Sequence, residues 1–531
     1  MKNWLVTFLG ILLSGTLFAQ KYVDRKVSLQ AEREPLRTVL TELEKQGGFY
    51  FSYDSKLLKL DSIVSVRANQ QTLRSVLHTL FQERFQFKES GEHLVILPTN
   101  YEKYINVTGQ VLDDTGPVDF VSVYSKDLLL VTLTDESGLY RLKVKEKILP
   151  FTLTFSRLGY KDTSILVTNS HPENIRLQAK DYLLQEVRIQ HNPIERSFLS
   201  RWFVSKKLRI HSRNITHFFV NTPYQLSLFP GVGTQGRMAT KSINKVSLNT
   251  TGGYTSGTEG VELSGAFNIT RGDVRYVQAA GLFNLVEGEM KGGQFSGAYN
   301  YVHGGIKGVQ AAGIGNQSSG KGAQLSGLFN KANDLKGFQA AGFFNHSTDF
   351  AGLQMAGFMN IVSNSLEGVQ VAGFYNQTKE LRGVQIGMVN RAKRSSGYSI
   401  GLLNLIGNGN ANFSLGTSEF LVWNASLKTG NKKLYTILTL GKEWKTEHIW
   451  PGVGLGRELT IGKQVTSLLE YVHYMSVKEE DPSYHRFQFM LTYPAHFPLQ
   501  IMAGPSFTLE PDKHTWGAQA GLAWYFRKKK S

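Results

Sequence analysis

The sequence predicts a multidomain, mostly β chain: a small α/β domain, a β-sandwich, then a large antiparallel transmembrane β-barrel of roughly 16 to 20 strands. Three observations predict it. One short pattern comes round ten times between Gly260 and Asn404, with apolar and polar positions alternating in each copy. The residues after Asn404 carry longer alternating segments with aromatic ends. The chain opens on an apolar leader of the kind that directs export.

The repeats read GVELSGAFN from Gly260, YVQAAGLFN from Tyr276, GVQAAGIGN from Gly308, GFQAAGFFN from Gly337 and so on to GYSIGLLN from Gly397, with a period drifting between 14 and 16 residues. Strand side chains alternate with a period of two, so Val309, Ala311, Gly313 and Gly315 share one face and Gln310, Ala312, Ile314 and Asn316 the other. An apolar face opposite one carrying Gln and Asn is the pattern of a transmembrane β-strand. Nine residues span roughly 30 Å, enough for the apolar band of an outer membrane at the usual tilt.

Two arrangements use such a repeat: a hairpin meander closed into a barrel, or a parallel β-solenoid with one coil per repeat. One position runs Leu263, Ala279, Phe295, Ala311, Leu325, Ala340, and its neighbour runs Ser264, Ala280, Ser296, Ala312, Ser326, Ala341. A two-repeat super-period suits paired strands of opposite direction, so the barrel is the expectation and the solenoid the alternative. The last two units are a residue shorter, which sets Gln385 and Asn390 on opposite faces unless a bulge intervenes.

In chain order, residues 1–19 read as a signal peptide, with Lys2, an apolar run from Trp4 to Leu13 and a small-residue site at Ala19. The chain has no Cys, which excludes a lipoprotein anchor, disulfides and thiolate chemistry. Residues 20–100 form an α/β domain, with strand-like KVSLQ, FYFSY, SIVSVRA, FQFKE and HLVILP. Its two helices carry Leu36, Val39, Leu40 and Leu43, and Leu73, Val76, Leu77, Leu80 and Phe81. This order resembles the secretin and TonB N-terminus short domain, a resemblance that implies a periplasmic location and a periplasmic signalling partner.

Residues 101–189 turn all-β, with strands over Val107–Leu112, Phe120–Ser125, Thr132–Thr134, Tyr140–Val144, Phe151–Ser156, Ser164–Val167 and Asn174–Leu177. The runs GQVLDDTGPVDFVSVYSK, TDESGLYRLKV and FSRLGYKD resemble the carboxypeptidase regulatory-like sandwich, which in that family is a spacer without catalytic residues. Residues 190–221 form a basic linker in which Arg196, Arg201, Lys206, Lys207, Arg209 and Arg213 mingle with Trp202, Phe203, Phe218 and Phe219. For an exported chain this reads as a linker at the membrane interface or a partial plug, not as a nucleic-acid site. Residues 222–531 form the repeat-containing barrel. The segment NTPYQLSLFPGVGTQGR, the repeats and LLNLIGNGN resemble repeat-bearing proteins of Bacteroidetes, a resemblance that implies no activity.

After Asn404 six strands are expected: Leu434–Lys442, His448–Ile461, Ser467–Ser476, His485–Tyr493, Gln500–Leu509 and Trp516–Phe526. Phe487, Phe489, Leu491 and Tyr493 share a face, as do Trp516, Ala518, Ala520, Leu522, Trp524 and Phe526. Their aromatic residues are set to form membrane-interface girdles. A last strand ending at Phe526 resembles the recognition signal of outer-membrane barrels, although Arg527 to Ser531 follow it.

No pattern points to an enzyme, a cofactor or a metal site. The 13 His are scattered, HExxH and GxSxG do not occur, and GVGLG at Gly452–Gly456 lacks a following helix. Arg271-Gly272-Asp273 and the acidic run Glu479, Glu480, Asp481 read as a turn and a solvated loop. The expected functional file is lumen-facing: Gln278, Gln294, Gln310, Gln324, Gln339, Gln354 and Gln370 with Asn284, Asn300, Asn316, Asn330, Asn345, Asn360 and Asn376. Such carboxamides hydrogen-bond polar solutes, or each other across neighbouring strands. The net charge of +17 favours anionic solutes or lipopolysaccharide phosphates. The expectation is an integral outer-membrane barrel, in contact with outer-membrane lipid, with its N-terminal domains in the periplasm, serving solute passage or transmembrane signalling. The alternative is a non-transporting surface or periplasmic repeat protein that binds or scaffolds partners.

Overall fold

Stacking identical residues on one another decides the architecture of the repeats. In a computed structural model that describes residues 22–99, 104–172, 174–180, 193–444, 448–461, 464–476, 483–494, 498–510 and 513–526, successive copies pair in parallel and in register. Gln294 lies beside Gln310, Asn300 beside Asn316 and Gly292 beside Gly308. The repeats are therefore a β-solenoid and not hairpins of a 16- to 20-stranded barrel, and the antiparallel expectation is corrected. The expected nine-residue strand is also broken. In one coil Ile306–Ala312 and Gly315–Gln317 are separate strands, and the chain bends at Gly313 and Ile314. Alternation fails at that corner, so Ile314 is exposed while Gln310, Ala312 and Asn316 all point inward. Each coil folds back on itself, and the polar file seals against its own interior.

The chain divides into two units, Met1–Val107 with Lys143–Leu149, and Thr108–Leu142 with Pro150–Ser531. The leader expected over residues 1–19 and the acidic run at 479–481 lie outside the described residues, as does the tail from Arg527.

In the first unit the expected element order is present. Helix Leu36–Gly47 buries Leu36, Val39, Leu40 and Leu43, and ends at Gly48 in the left-handed region (φ 62°), where its N–H reaches Glu44 O. Helix Leu73–Phe81 starts at Thr72, whose hydroxyl accepts from Ser75 N. The strands form two sheets: Lys26–Pro35 with Ile63–Thr72, and Tyr50–Tyr53, His93–Pro98 and Phe85–Ser90 in that spatial order. One apolar core joins the helices to them.

The second unit begins with a sandwich-like region, in which Thr163–Val167, Phe151–Ser156, Ser122–Ser125 and Leu130–Leu133 form one sheet. The basic linker is not a plug. Its described part forms helices Pro193–Arg196, Phe198–Phe203 and Lys206–Asn214, the last two capped by the Ser197 and Ser205 hydroxyls. Ile194, Val204 and Leu208 pack on Tyr254, Phe267 and Phe283 of the first coils, so the helices cover the start of the solenoid.

A closed antiparallel barrel of eight strands follows the repeats. They are Asn410–Ser418, Leu421–Gly430, Tyr435–Glu443, Ile449–Thr460, Thr466–Tyr474, Tyr484–Tyr493, Leu499–Leu509 and His514–Tyr525. The first and last close the circle, from Asn412 beside Tyr525 to Ser418 beside Gln519. Six of these match the expected strands; the first two were not expected. Phe413, Leu415, Phe487, Phe489, Leu491, Trp516 and Trp524 face outward, whereas Asn412, Ser414, Arg486, Gln488 and Gln519 are buried inside.

Candidate functional site

The solenoid interior holds two carboxamide ladders of opposite polarity. Along the first, each Asn donates Nδ2 to the Oδ1 of the next coil: Asn284 to Asn300, Asn300 to Asn316, Asn316 to Asn330 and Asn330 to Asn345, each at 2.9 Å. The second amide hydrogen goes to a backbone carbonyl of that next coil, as from Asn300 to Ala311 O at 2.8 Å. The series ends when Asn404 Nδ2 donates to Thr436 Oγ1 of the barrel at 2.8 Å. Gln residues donate the other way, Gln294 to Gln278 at 2.8 Å and Gln370 to Gln354 at 2.7 Å, and the series ends at the Glu262 carboxylate, reached by Gln278 Nε2 at 2.9 Å. An acceptor-only group suits the end where an amide N–H arrives. Burial raises the Glu262 pKa, and hydrogen bonds from Gln278, Thr258 and Thr270 oppose that rise.

Every residue of the expected file lies in these ladders: Gln278, Gln294, Gln310, Gln324, Gln339, Gln354, Gln370, Asn284, Asn300, Asn316, Asn330, Asn345, Asn360 and Asn376 are all 0 % exposed. They bond one another between neighbouring strands and meet no solvent, so they stabilise coil stacking and cannot reach a solute. Gln385 and Asn390 of the shortened unit also point inward. The missing residue is taken up at the corner, where Gly387 sits tightly against Ala372 O and Asn376.

The barrel interior is packed. Lys428 Nζ lies 2.5 Å from Glu470 Oε1, which Tyr435 Oη also reaches at 2.7 Å. Arg486 pairs with Glu419 at 2.7 Å, and Gln488 donates to Gln519 at 2.7 Å. Tyr435, Trp450, Met490, Met502 and Tyr525 fill the remaining space. Eight strands leave an interior just wide enough for side chains.

The surface open to a partner is the outer face of the longer solenoid strand, whose residues the sequence reading noted for their alternation in size and not as a binding face. One column runs Leu263, Ala279, Phe295, Ala311, Leu325, Ala340, Met355. A parallel column at the corner includes Leu282, Ile314, Leu328, Phe343 and Phe374, all exposed. Its aromatic members stack, Phe343 on Phe358 and Phe358 on Phe374, at 5.1 and 5.2 Å between centroids. Leu226, Leu228, Val232, Leu248, Leu263 and Phe295 line an open trough of ≈ 1260 Å³ at the start of this face. A smaller groove of ≈ 440 Å³ continues past Leu325, Ala340, Met355 and Val371. Along the other edge runs a basic column, Arg275, Lys291, Lys307, Lys321 and Lys336. The signal for both was present in the repeats, as Lys or Arg just before the first glycine and as the alternation of large and small residues.

The Arg271-Gly272-Asp273 triplet is a coil corner engaged with its own fold: Arg271 Nη1 donates to Ser212 O at 2.6 Å, and Asp273 Oδ1 accepts from Glu289 N at 2.9 Å. Gly452–Gly456 lies within a barrel strand. Among the described residues, no group of three or more His, Cys, Asp or Glu is placed to hold a metal ion.

Comparison with known families matches residues 107–189 to the CarboxypepD_reg-like domain, which is therefore what the sandwich-like region is. Comparison with curated proteins and with solved structures returns no match.

Proposed function

We propose that this chain is a non-transporting, outer-membrane-anchored scaffold: the eight-stranded barrel is the anchor, and the solenoid is a periplasmic binding platform. The observation that carries this reading is the barrel's inversion, with apolar and aromatic side chains outside and a hydrogen-bonded polar core inside, the arrangement a lipid solvent demands. Ten-residue strands such as Tyr484–Tyr493 rise about 33 Å, or about 25 Å of membrane when tilted. Trp423, Tyr493, Trp516, Trp524 and Phe526 supply outward aromatic rings.

An even number of strands puts both ends of the barrel on one side of the membrane. The leader read over residues 1–19 supports a periplasmic side for both ends, and for the solenoid with them. The strand ends Tyr474 and Tyr484, which bound the longest stretch of sequence between neighbouring barrel strands, stand at the opposite end, where outer-membrane barrels carry their longer loops. The packed interior argues against solute passage. The resemblance of residues 26–98 to the secretin and TonB short domain supports a periplasmic signalling partner for that domain.

Two measurements on the purified full chain test this reading. Unboiled protein in mild detergent should migrate faster on a gel than boiled protein, and reconstitution into a planar bilayer should give no stepwise conductance. Solubility without detergent would remove the anchor, and stable conductance steps would restore transport.

A further inference from the structure

We infer that the outer apolar face of the solenoid seats the acyl chains of phosphate-bearing membrane lipid, with the phosphates held along its basic edge. This rests on the reading that the neighbouring barrel is embedded in the membrane. Three features select this occupant. The face is apolar over successive coils and open, and its first part is a trough walled by Leu226, Leu228 and Val232, a shape that admits a hydrocarbon chain lengthwise. Between Glu259 and Ala351 its edge is cationic over five successive coils, with Arg275, Lys307, Lys321 and Lys336 exposed and Lys291 half-buried, before the column reaches Glu367. Glu259 pairs with Arg275 at 3.5 Å, and Glu289 with Lys291 and Lys307 at 2.8 and 3.6 Å. Lys321 and Lys336 have no ion-pair partner among the described residues, which leaves excess positive charge beside the apolar columns.

The third feature is where the face ends. Its last coil, with Tyr398, Ile400 and Leu402 outward, is tied to the barrel by Asn404 to Thr436 and by Thr436 Oγ1 to Gly401 O, both 2.8 Å. Lys433 of a barrel turn stands 5.8 Å over the Tyr398 ring. The apolar track thus begins at a trough and finishes against the membrane anchor. A second copy fits the face less well, because an antiparallel face-to-face pair sets basic edge against basic edge. Anionic lipid supplies both the apolar and the anionic complement.

The test is photolabelling of the full chain in lipid nanodiscs containing diazirine-tailed phosphatidylglycerol or, in parallel, diazirine-tailed phosphatidylcholine, with labelled residues mapped by mass spectrometry. Labels are expected on the barrel's outer belt with both probes. On the solenoid they are expected around Leu263, Phe295, Leu325 and Met355, preferentially with phosphatidylglycerol. The triple variant Lys307→Gln, Lys321→Gln, Lys336→Gln should cut the solenoid labelling by phosphatidylglycerol at least about tenfold and leave the belt labelling unchanged. Leu325→Gln with Met355→Gln should remove labels locally without disturbing the sealed interior.

Labels confined to the belt would overturn the inference and leave the anchor standing. Solenoid labelling indifferent to charge, or cross-links joining two copies through this face, would also overturn it. An unlabelled belt would sink the anchor reading and the inference with it.

Discussion

Asn345 shows how much one side chain carries inside a coil. Its Oδ1 accepts from Asn330 at 2.9 Å, and its Nδ2 donates to Asn360 at 2.9 Å and to Met355 O at 2.5 Å. Asn345→Ala therefore strands three polar partners away from water, and should cost about 2–4 kcal/mol. Thermal melts followed by circular dichroism should show it, with the exposed Lys331→Ala on the neighbouring coil as a near-neutral control. Gly352→Ala should be worse. The backbone there has φ 134°, and an added Cβ would overlap the Gly337 carbonyl of the preceding coil, a clash no side-chain movement relieves. At this scale the sequence was legible in part. The recurrent Gln and Asn do point inward, as their spacing implies, and they do bond across strands. What they point into depends on whether the chain turns at Gly313, and a glycine between two apolar residues reads equally as strand or corner.

At the scale of elements, the linker helices join the sandwich to the solenoid through groups that titrate. His211, fully buried on helix Lys206–Asn214, lies 3.0 Å from Ser122 Oγ, and Asn214 donates to Phe120 O at 2.7 Å. Burial pushes the imidazole down to about 3, helped by Arg237, Lys241 and Lys207. The unfolded chain thus binds a proton that the folded one refuses between about pH 6.5 and pH 3. The stability this confers is complete above the unfolded value and is lost as pH falls through that window, by up to about 1.4 kcal/mol per pH unit. The wild type should lose more melting temperature between pH 7 and pH 5 than His211→Gln, and equal losses would show that His211 stays solvated. The sequence hid this element because its charged residues, read together, suggest an interface. The apolar Ile194, Val204 and Leu208 that dock it are outnumbered by Arg and Lys. The two-repeat super-period misled for a related reason. It belongs to side chains of adjacent coils on the outer face, where large residues at Leu263, Phe295 and Leu325 alternate with Ala279 and Ala311, and not to strands of alternating direction.

For the second unit as a whole, the solenoid is a one-dimensional stack bounded by the linker helices at its start and the barrel at its end, and each coil pairs only with its neighbours. That organisation makes a prediction about length. Deleting residues 338–352 joins Gly337 to Leu353 and removes one coil, so that Gln324 stacks on Gln354 and Asn330 on Asn360 with the ladders intact. Deleting half as much, residues 338–344, brings Gly337 directly against Asn345 and breaks the register of every inward position in that coil. The whole-coil variant should keep the barrel's heat-modifiable migration and the slow amide exchange of strands such as Tyr484–Tyr493. The half-coil variant should expose buried carboxamides and lose protection through the solenoid, fastest next to the deletion. If both deletions abolish protection equally, the coils are not independent modules, and the ladder from Glu262 to Gln385 acts as a single cooperative unit whose length is set by the chain as a whole.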